Sequence, residues 1–245
     1  MPSDPHRDLL YADQAPPGGP FEFSEAVARV FPDMLRRSIP GYAATLDAIH
    51  SLTAKHVQPA TRLYDLGCSL GAATLAMRSA VAVDGCQIVA IDNAPAMIDR
   101  CRDLLAEDSE STPVELLCGD VREVEYANAS IVVMNYTLQF LPPEDRDDLM
   151  RRIANGMNAG GLFLLSEKVV DPDPEVEAAL QALHLDFKRR HNYSDLEIAR
   201  KRAALENVLV PDTETAHLAR LRQAGFRHVG VWQRYFNFLS IVAIR

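Results

Sequence analysis

Asp65-Leu-Gly-Cys-Ser-Leu-Gly71, running straight into Ala72-Ala-Thr-Leu75, is the stretch on which the fold is decided. The apolar run Arg62-Leu-Tyr-Asp65 leads into it and a helical pattern over 71–81 follows, so it reads as a strand-to-helix turn. Glycines in such a turn let the backbone come close to a ligand, and the amides of the helix that follows point at a negative group. The next apolar run, Gln87-Ile-Val-Ala-Ile-Asp92, closes on an acid 25 positions after Gly67. That is near the roughly 20 expected of a carboxylate that holds ribose hydroxyls. Asp92 also precedes Asn93-Ala-Pro95, and a proline suits a first helical turn, so an N-capping role is open to it as well. A third run, Val114-Glu-Leu-Leu-Cys118, is followed by Gly119-Asp120-Val121, and a fourth, Ser130-Ile-Val-Val-Met-Asn135, by Tyr136. All four signals fall at the carboxyl ends of successive strands, where open α/β sheets bind ligands.

Working outward, a fifth run, Gly161-Leu-Phe-Leu-Leu-Ser166, completes the series, with helical patterns over 94–108, 143–157 and a short segment at 121–127. Strands that read as unbroken apolar runs and alternate with helices predict a parallel sheet covered on both faces, hence a doubly wound α/β architecture. Two later runs, at 229–233 and 236–244, are joined by Arg234-Tyr235 alone, a connection too short for a parallel crossover, so they form an antiparallel hairpin. Helices are predicted at 24–31, 33–39 and 42–56 ahead of the first strand. Gln14-Ala-Pro-Pro-Gly-Gly-Pro20 is loop punctuation, which makes residues 1–20 a loosely held, flexible tail and 21–245 a single domain. About forty residues, 171–212, interrupt the alternation with helical composition. Between 184 and 202 that insert holds Lys188, Arg189, Arg190, Arg200, Lys201 and Arg202 against Asp186, Asp195 and Glu197, and it reads as a lid.

Composition narrows the function classes. With 245 residues, 48% apolar and 24% charged, the chain is neither disordered, collagen-like nor a coiled coil. Cys68, Cys86, Cys101 and Cys118 form no C-x-x-C pair and the seven histidines are scattered. This predicts no metal site and no secreted disulfide framework, and favours a reducing compartment. Met1 to Arg7 lacks an apolar core and no run approaches the ~20 residues of a membrane span, so a cytoplasmic protein is expected. Lys and Arg number 25 against 34 Asp and Glu, a net charge of −9, which argues against direct nucleic-acid binding.

The strand order, the Asp65–Gly71 loop, Asp92, Gly119-Asp120 and Asn135 resemble the Rossmann-like class I S-adenosyl-L-methionine (SAM) dependent methyltransferases. The likeness to one family within them is closer. Phe31-Pro-Asp-Met-Leu-Arg-Arg-Ser-Ile-Pro-Gly-Tyr42, Ala90-Ile-Asp-Asn-Ala-Pro-Ala-Met-Ile98, Thr137-Leu-Gln-Phe-Leu141 and Leu165-Ser-Glu-Lys168 are similar to the carboxy-S-adenosyl-L-methionine (carboxy-SAM) synthase family. So are His184-Leu-Asp-Phe-Lys188, Tyr193-Ser-Asp-Leu-Glu-Ile198, Lys201-Arg-Ala-Ala-Leu-Glu-Asn207 and Phe236-Asn-Phe238, which carry the resemblance through the lid.

The resemblance implies a mostly parallel seven-stranded sheet with a terminal antiparallel hairpin. It implies an enzyme that combines SAM with prephenate: prephenate loses carbon dioxide and aromatises to phenylpyruvate, and the deprotonated methyl of SAM captures the carbon dioxide. It further implies a homodimer whose product serves a separate tRNA carboxymethyltransferase acting on 5-hydroxyuridine at the wobble position. By the same matching Tyr42 lies against the ligand, Gly67, Cys68 and Ser69 surround its amino-acid part, and Asp92 and Asn93 hold the ribose. Asp120 and Val121 hold the adenine, Asn135 sits at the sulfonium, and Arg202 contacts the added carboxylate.

The residues by themselves leave other readings open. Tyr42 could cap the helix after Pro40-Gly41, and Cys68 reads as a packing residue with no adjacent base. Arg202 is spaced to pair with Glu206 on an exposed helix face. Lys188-Arg-Arg190 could be a solvated face or could steer dianionic prephenate. His184 and Tyr193 are weaker candidates for substrate contact. No residue stands out as the base that deprotonates SAM. A conventional SAM methyltransferase and a non-catalytic SAM-binding partner subunit are the alternative functions.

Overall fold

Five of the apolar runs pair side by side in the computed structural model, which describes residues 6–12 and 20–245. They are β1 (Arg62–Leu66), β2 (Gln87–Asp92), β3 (Val114–Cys118), β4 (Ala129–Asn135) and β5 (Met157–Val170), all parallel. The hairpin β7 (His228–Tyr235) and β8 (Phe238–Ile244) adds to β5 antiparallel, giving the order β3-β2-β1-β4-β5-β8-β7. A two-residue strand, β6 (Asp212–Thr213), pairs with β5 beside this expected seven-stranded path. The strand order reverses direction at β1, between β2 and β4, which opens a crevice above the carboxyl ends of these three strands.

Helices α2 (Tyr42–His56) and α3 (Ala72–Arg78) lie against one face, where Ile49, Leu63, Met77, Ile88 and Ile131 are buried together. Helices α5 (Pro143–Gly156) and α8 (Glu214–Gln223) cover the other, over Val132, Met134, Phe163 and Leu221. Helix α4 (Pro95–Glu107) follows β2 and begins with its proline in the first turn.

The structure departs from expectation in three places. Residues 24–39 form one helix, α1 (Glu25–Ser38), with Pro32 inside it. An internal proline costs about 3 kcal/mol. Burial of Val27, Val30, Phe31 and Met34 on one face, about 1.5–3 kcal/mol each, outweighs it. The segment 121–127 is a turn and not a helix. The Tyr126 hydroxyl bonds the Val121 carbonyl at 2.6 Å while its ring packs edge-on to Tyr64, and these contacts hold the segment as a turn. Within the expected tail, residues 6–12 are held down, with Asp8 1% and Tyr11 6% exposed. The loop punctuation at 14–19 lies outside the described residues.

The insert folds as α6 (Pro174–Arg190) and α7 (Asp195–Leu205), the latter opened by a capping box of Ser194 and Glu197. Phe21, Phe31 and Met34 pack with Leu70 of the glycine loop and Ala204 of α7, so α1 and the lid together roof the crevice. No helix among the described residues is long and apolar enough to cross a membrane.

Candidate functional site

The glycine loop is fixed by its own backbone. The Gly67 and Cys68 amides both donate to the Ile91 carbonyl, at 2.8 and 2.9 Å, tying the loop to β2. Gly67 sits at φ +79°, and a Cβ there would lie 2.2 Å from Thr137 Oγ1. Ser69 takes the left-handed conformation at φ +49°, which costs a residue with a side chain about 1–2 kcal/mol. Its amide donates to Asp92 Oδ2 at 2.9 Å, while Asp92 Oδ1 accepts from the Ala94 amide at 2.9 Å. Asp92 therefore organises the start of α4 and the glycine loop together. A carboxylate has about four acceptor positions, so two remain for ligand hydroxyls. Burial raises its pKa, against the lowering effect of the two amides.

Gly67 and Ser69 line both ends of one cleft. At one end Phe23, Val121, Phe140 and Leu141 form an apolar slot beside Asp92 and Asn93, with the Phe23 and Phe140 rings 5.4 Å apart, edge to face. This suits a flat heterocycle attached to a ribose. Asp120 also borders the slot, but Arg122 holds its carboxylate through Nε at 3.0 Å and a terminal nitrogen at 2.6 Å, and keeps its pKa low. The slot is thus shaped by Val121 and the aromatic rings, with Asp120 already engaged at its edge.

At the other end lie Tyr42, Asp65, Cys68, Asn135 and Tyr136. Tyr42 opens α2 without capping it: Gly41 is the cap position, and the Tyr42 ring stands 6.4 Å from that of Tyr136. Asn135 Oδ1 is buried and has no hydrogen-bond partner, so it awaits one from a ligand. Asp65, which the sequence reading left unassigned, lines this end as well. It is buried, bonded by Thr74 Oγ1 at 2.6 Å, and burial pushes its pKa up to about 6. Its only sequence signal is that it begins the loop motif. Two buried acids, Asp65 and Asp92, beside an orphaned amide oxygen fit a ligand that carries an ammonium, a sulfonium and a ribose, as SAM does.

Cys68 is buried, and the neighbouring Cys101 thiol together with burial pushes its own thiol pKa up, which disfavours the thiolate. His184 and Tyr193 are engaged within the lid: His184 Nε2 lies 2.9 Å from the Ser38 carbonyl, and the Tyr193 hydroxyl bonds the Asp8 carboxylate. Arg202 is not in the cleft. It lines a separate cavity under the lid. Among the described residues no cluster of histidine, cysteine and acid side chains could hold a metal ion.

A methyltransferase domain family matches residues 63–161, from β1 to β5. A carboxy-S-adenosyl-L-methionine synthase from Shewanella sp. strain ANA-3 is 49% identical over 239 residues, 98% of each chain. The chain belongs to the carboxy-SAM synthase family. The synthase of Shewanella oneidensis is similar to the same degree, 49% over 98% of each chain. Among solved structures, human N-acetylserotonin methyltransferase in complex with SAM superposes with a TM-score of 0.59 at 17% identity, covering 90% of this chain and 55% of that one. A protein from Bordetella parapertussis gives 0.62 at 18%, covering 97% and 77%. The domain match and the superposition on the human methyltransferase show the class I methyltransferase fold, and the match to the carboxy-SAM synthases over 98% of the chain takes in the lid. For a carboxy-SAM synthase, Cys68→Ser is expected to leave product formation in place. Loss of turnover with SAM affinity intact, measured side by side, would make the thiol a reacting group.

Proposed function

We propose that the chain converts SAM and prephenate into carboxy-SAM, phenylpyruvate and water, supplying the carboxymethyl donor for a tRNA carboxymethyltransferase that modifies the wobble uridine. The observation that carries this reading is the match to carboxy-SAM synthases over 98% of the chain. In this reading Asp92 and Asn93 hold the ribose, Val121, Phe23 and Phe140 sandwich the adenine with Asp120 at its edge, and Asn135 meets the sulfonium region. Tyr42, Asp65 and the backbone of Gly67, Cys68 and Ser69 surround the amino-acid end. Arg202, which lies outside its own cleft and has no hydrogen-bond or ion-pair partner among the described residues, is the carboxylate contact supplied to the neighbouring subunit of a homodimer.

SAM supplies a methyl group acidified by its sulfonium. Prephenate breaks its ring-carboxylate bond, releasing carbon dioxide, and its ring hydroxyl leaves as hydroxide as the ring aromatises. That hydroxide and the proton lost from the methyl make water, and the carbanion forms the new carbon–carbon bond with carbon dioxide. Charge balances: a cation and a dianion become a neutral product and a monoanion. Mass spectrometry of the ligand after incubation with both substrates is expected to show a species heavier than SAM by one carbon dioxide. Recovery of SAM alone would reject the reading.

Homodimerisation belongs to the same proposal. Val176, Leu183 and Leu196 are exposed apolar side chains on the lid helices and support a contact there. The acidic net charge supports a protein that makes the reagent and leaves tRNA contact to its partner, and the four free cysteines support a reducing compartment such as the cytoplasm.

A further inference from the structure

Beside the cleft, between the end of β5 and the lid helices α6 and α7, lies a second cavity of about 690 Å3. The wall between the two is aromatic. Tyr136, which lines the sulfonium end of the cleft, packs on Phe238 at 6.0 Å, and Phe238 packs at 4.8 Å on His184, which lines the cavity. Lys168, Lys188 and Arg202 line the cavity, and none has a hydrogen-bond or ion-pair acceptor for its charged end among the described residues. Burial, then the charges of Lys201, Lys168 and Arg202, push the Lys188 pKa down to about 7. Burial likewise lowers that of Lys168. The charge of Glu177 opposes this in part at Lys168, and the nearby acids do little more. Asp195 is taken by Arg189 at 2.8 Å, Glu177 accepts from the Asp171 amide and Gln181, and Glu206 lies at the exposed rim. His184 adds no charge, because burial pushes its pKa down to about 3. Asn237, fully buried in the same wall, has neither amide atom paired.

Converging cations without counter-charges are costly unless an anion completes them. The cleft itself presents Asp65 and Asp92, which attract cationic SAM and repel a dianion, so the second substrate needs its positive contacts elsewhere. We infer that this cavity is the docking subsite for the side-chain carboxylate of the second substrate, with Lys168 and Lys188 as its anchors, which leaves the ring carboxylate that departs as carbon dioxide toward the cleft. The inference rests on the second substrate being the dianion prephenate, as proposed above. It also divides the basic run 188–190: Lys188 and Arg189 both line the cavity, but Arg189 is already paired with Asp186 and Asp195 at 2.8 Å each, whereas the Lys188 ammonium has no acceptor among the described residues.

The test uses full-length protein loaded with SAM and two variants, Lys168→Gln and Lys188→Gln. Calorimetry is expected to show unchanged SAM affinity and prephenate affinity weakened about 10- to 100-fold by each, with KM for prephenate rising in parallel and Lys188→Arg recovering part of the loss. Prephenate binding by wild type without product would sink the proposed activity and keep the subsite. Product formation with unchanged prephenate KM in both variants would sink the subsite and keep the activity. Inorganic phosphate competing as well as prephenate would also overturn it, by making the cavity a general anion site.

Discussion

Replacing Asp92 with alanine is expected to weaken SAM binding about 100-fold or more, read by calorimetry, because two charge-assisted hydrogen bonds of about 1.5–3 kcal/mol each are lost. The geometry adds to this. Asp92 Oδ2 also receives the Ser69 amide, which sits in a left-handed conformation that little else secures, so the glycine loop loses its tie to β2 at that point. The buried Ala94 amide loses its acceptor too. Asp92→Asn keeps the shape but exchanges one acceptor oxygen for a donor that faces backbone N–H groups, and falls between the two. The pair of measurements separates the two roles open to Asp92. A residue that only begins α4 would lower the melting temperature and leave the dissociation constant for SAM within a few-fold of wild type. That outcome would remove Asp92 from the ribose site.

What the sequence made legible follows from which forces act locally. β2 begins and ends where its apolar run does, 87–92, since an interior parallel strand selects apolar residues along its length, and the edge strand β3 keeps the bounds of its own run, 114–118, although Glu115 and Cys118 are exposed. The ends of β5 were not legible. It starts at Met157 because Ala129 of β4 pairs there ahead of a register shift, and it reaches Val170 because β8 pairs with it as far as Lys168 and β6 beyond, tertiary contacts that leave no apolar signature in Asn158-Ala-Gly-Gly161 or Glu167-Lys168. The single helix α1 was hidden by Pro32, whose local cost is offset by burial against Tyr11, the glycine loop, α4 and the lid. Within the site, residue types at strand ends pointed to Gly67, Asp92 and Asn135, and their geometry needed the fold. Asp65 was passed over because a strand-end acid reads as part of the turn. Arg202 matched the family's pattern, yet its place beside Lys168 and Lys188 depends on how α6 and α7 fold back on β5. Tyr193 looked like a substrate contact and instead packs under Arg37 at 3.8 Å.

That packing belongs to a latch whose removal has a large expected cost. Asp8 is 1% exposed and accepts from the Tyr193 hydroxyl and from Lys201 Nζ at 3.4 Å. Its amide donates to Asp33 Oδ2 at 2.9 Å, and its carbonyl accepts from Arg37 at 2.8 Å. Arg37 in turn reaches the His191 and Asn192 carbonyls, both at 2.7 Å, so the latch joins residues 6–12, α1 and the turn between α6 and α7. Asp8→Ala strands the buried Lys201, and breaking a buried pair in this way costs about 3–5 kcal/mol. Chemical denaturation is expected to show that loss at pH 7. The pH dependence has a definite sign. Burial lowers the Lys201 pKa to about 8 in the folded chain against 10.5 unfolded, so its contribution to stability rises between those values and is lost as pH falls through about 8. Without Asp8 the folded pKa drops further and the window of rising stability extends below 8, so the deficit of the variant shrinks as pH increases from 7 to 8. Lys201→Met in the Asp8→Ala background removes the stranded charge and is expected to recover most of the loss. An Asp8→Ala protein as stable as wild type at pH 7, or one that Lys201→Met fails to rescue, would show that Lys201 does not depend on Asp8. Because Lys201 immediately precedes Arg202 on α7, the same latch fixes the helix that carries the carboxylate contact.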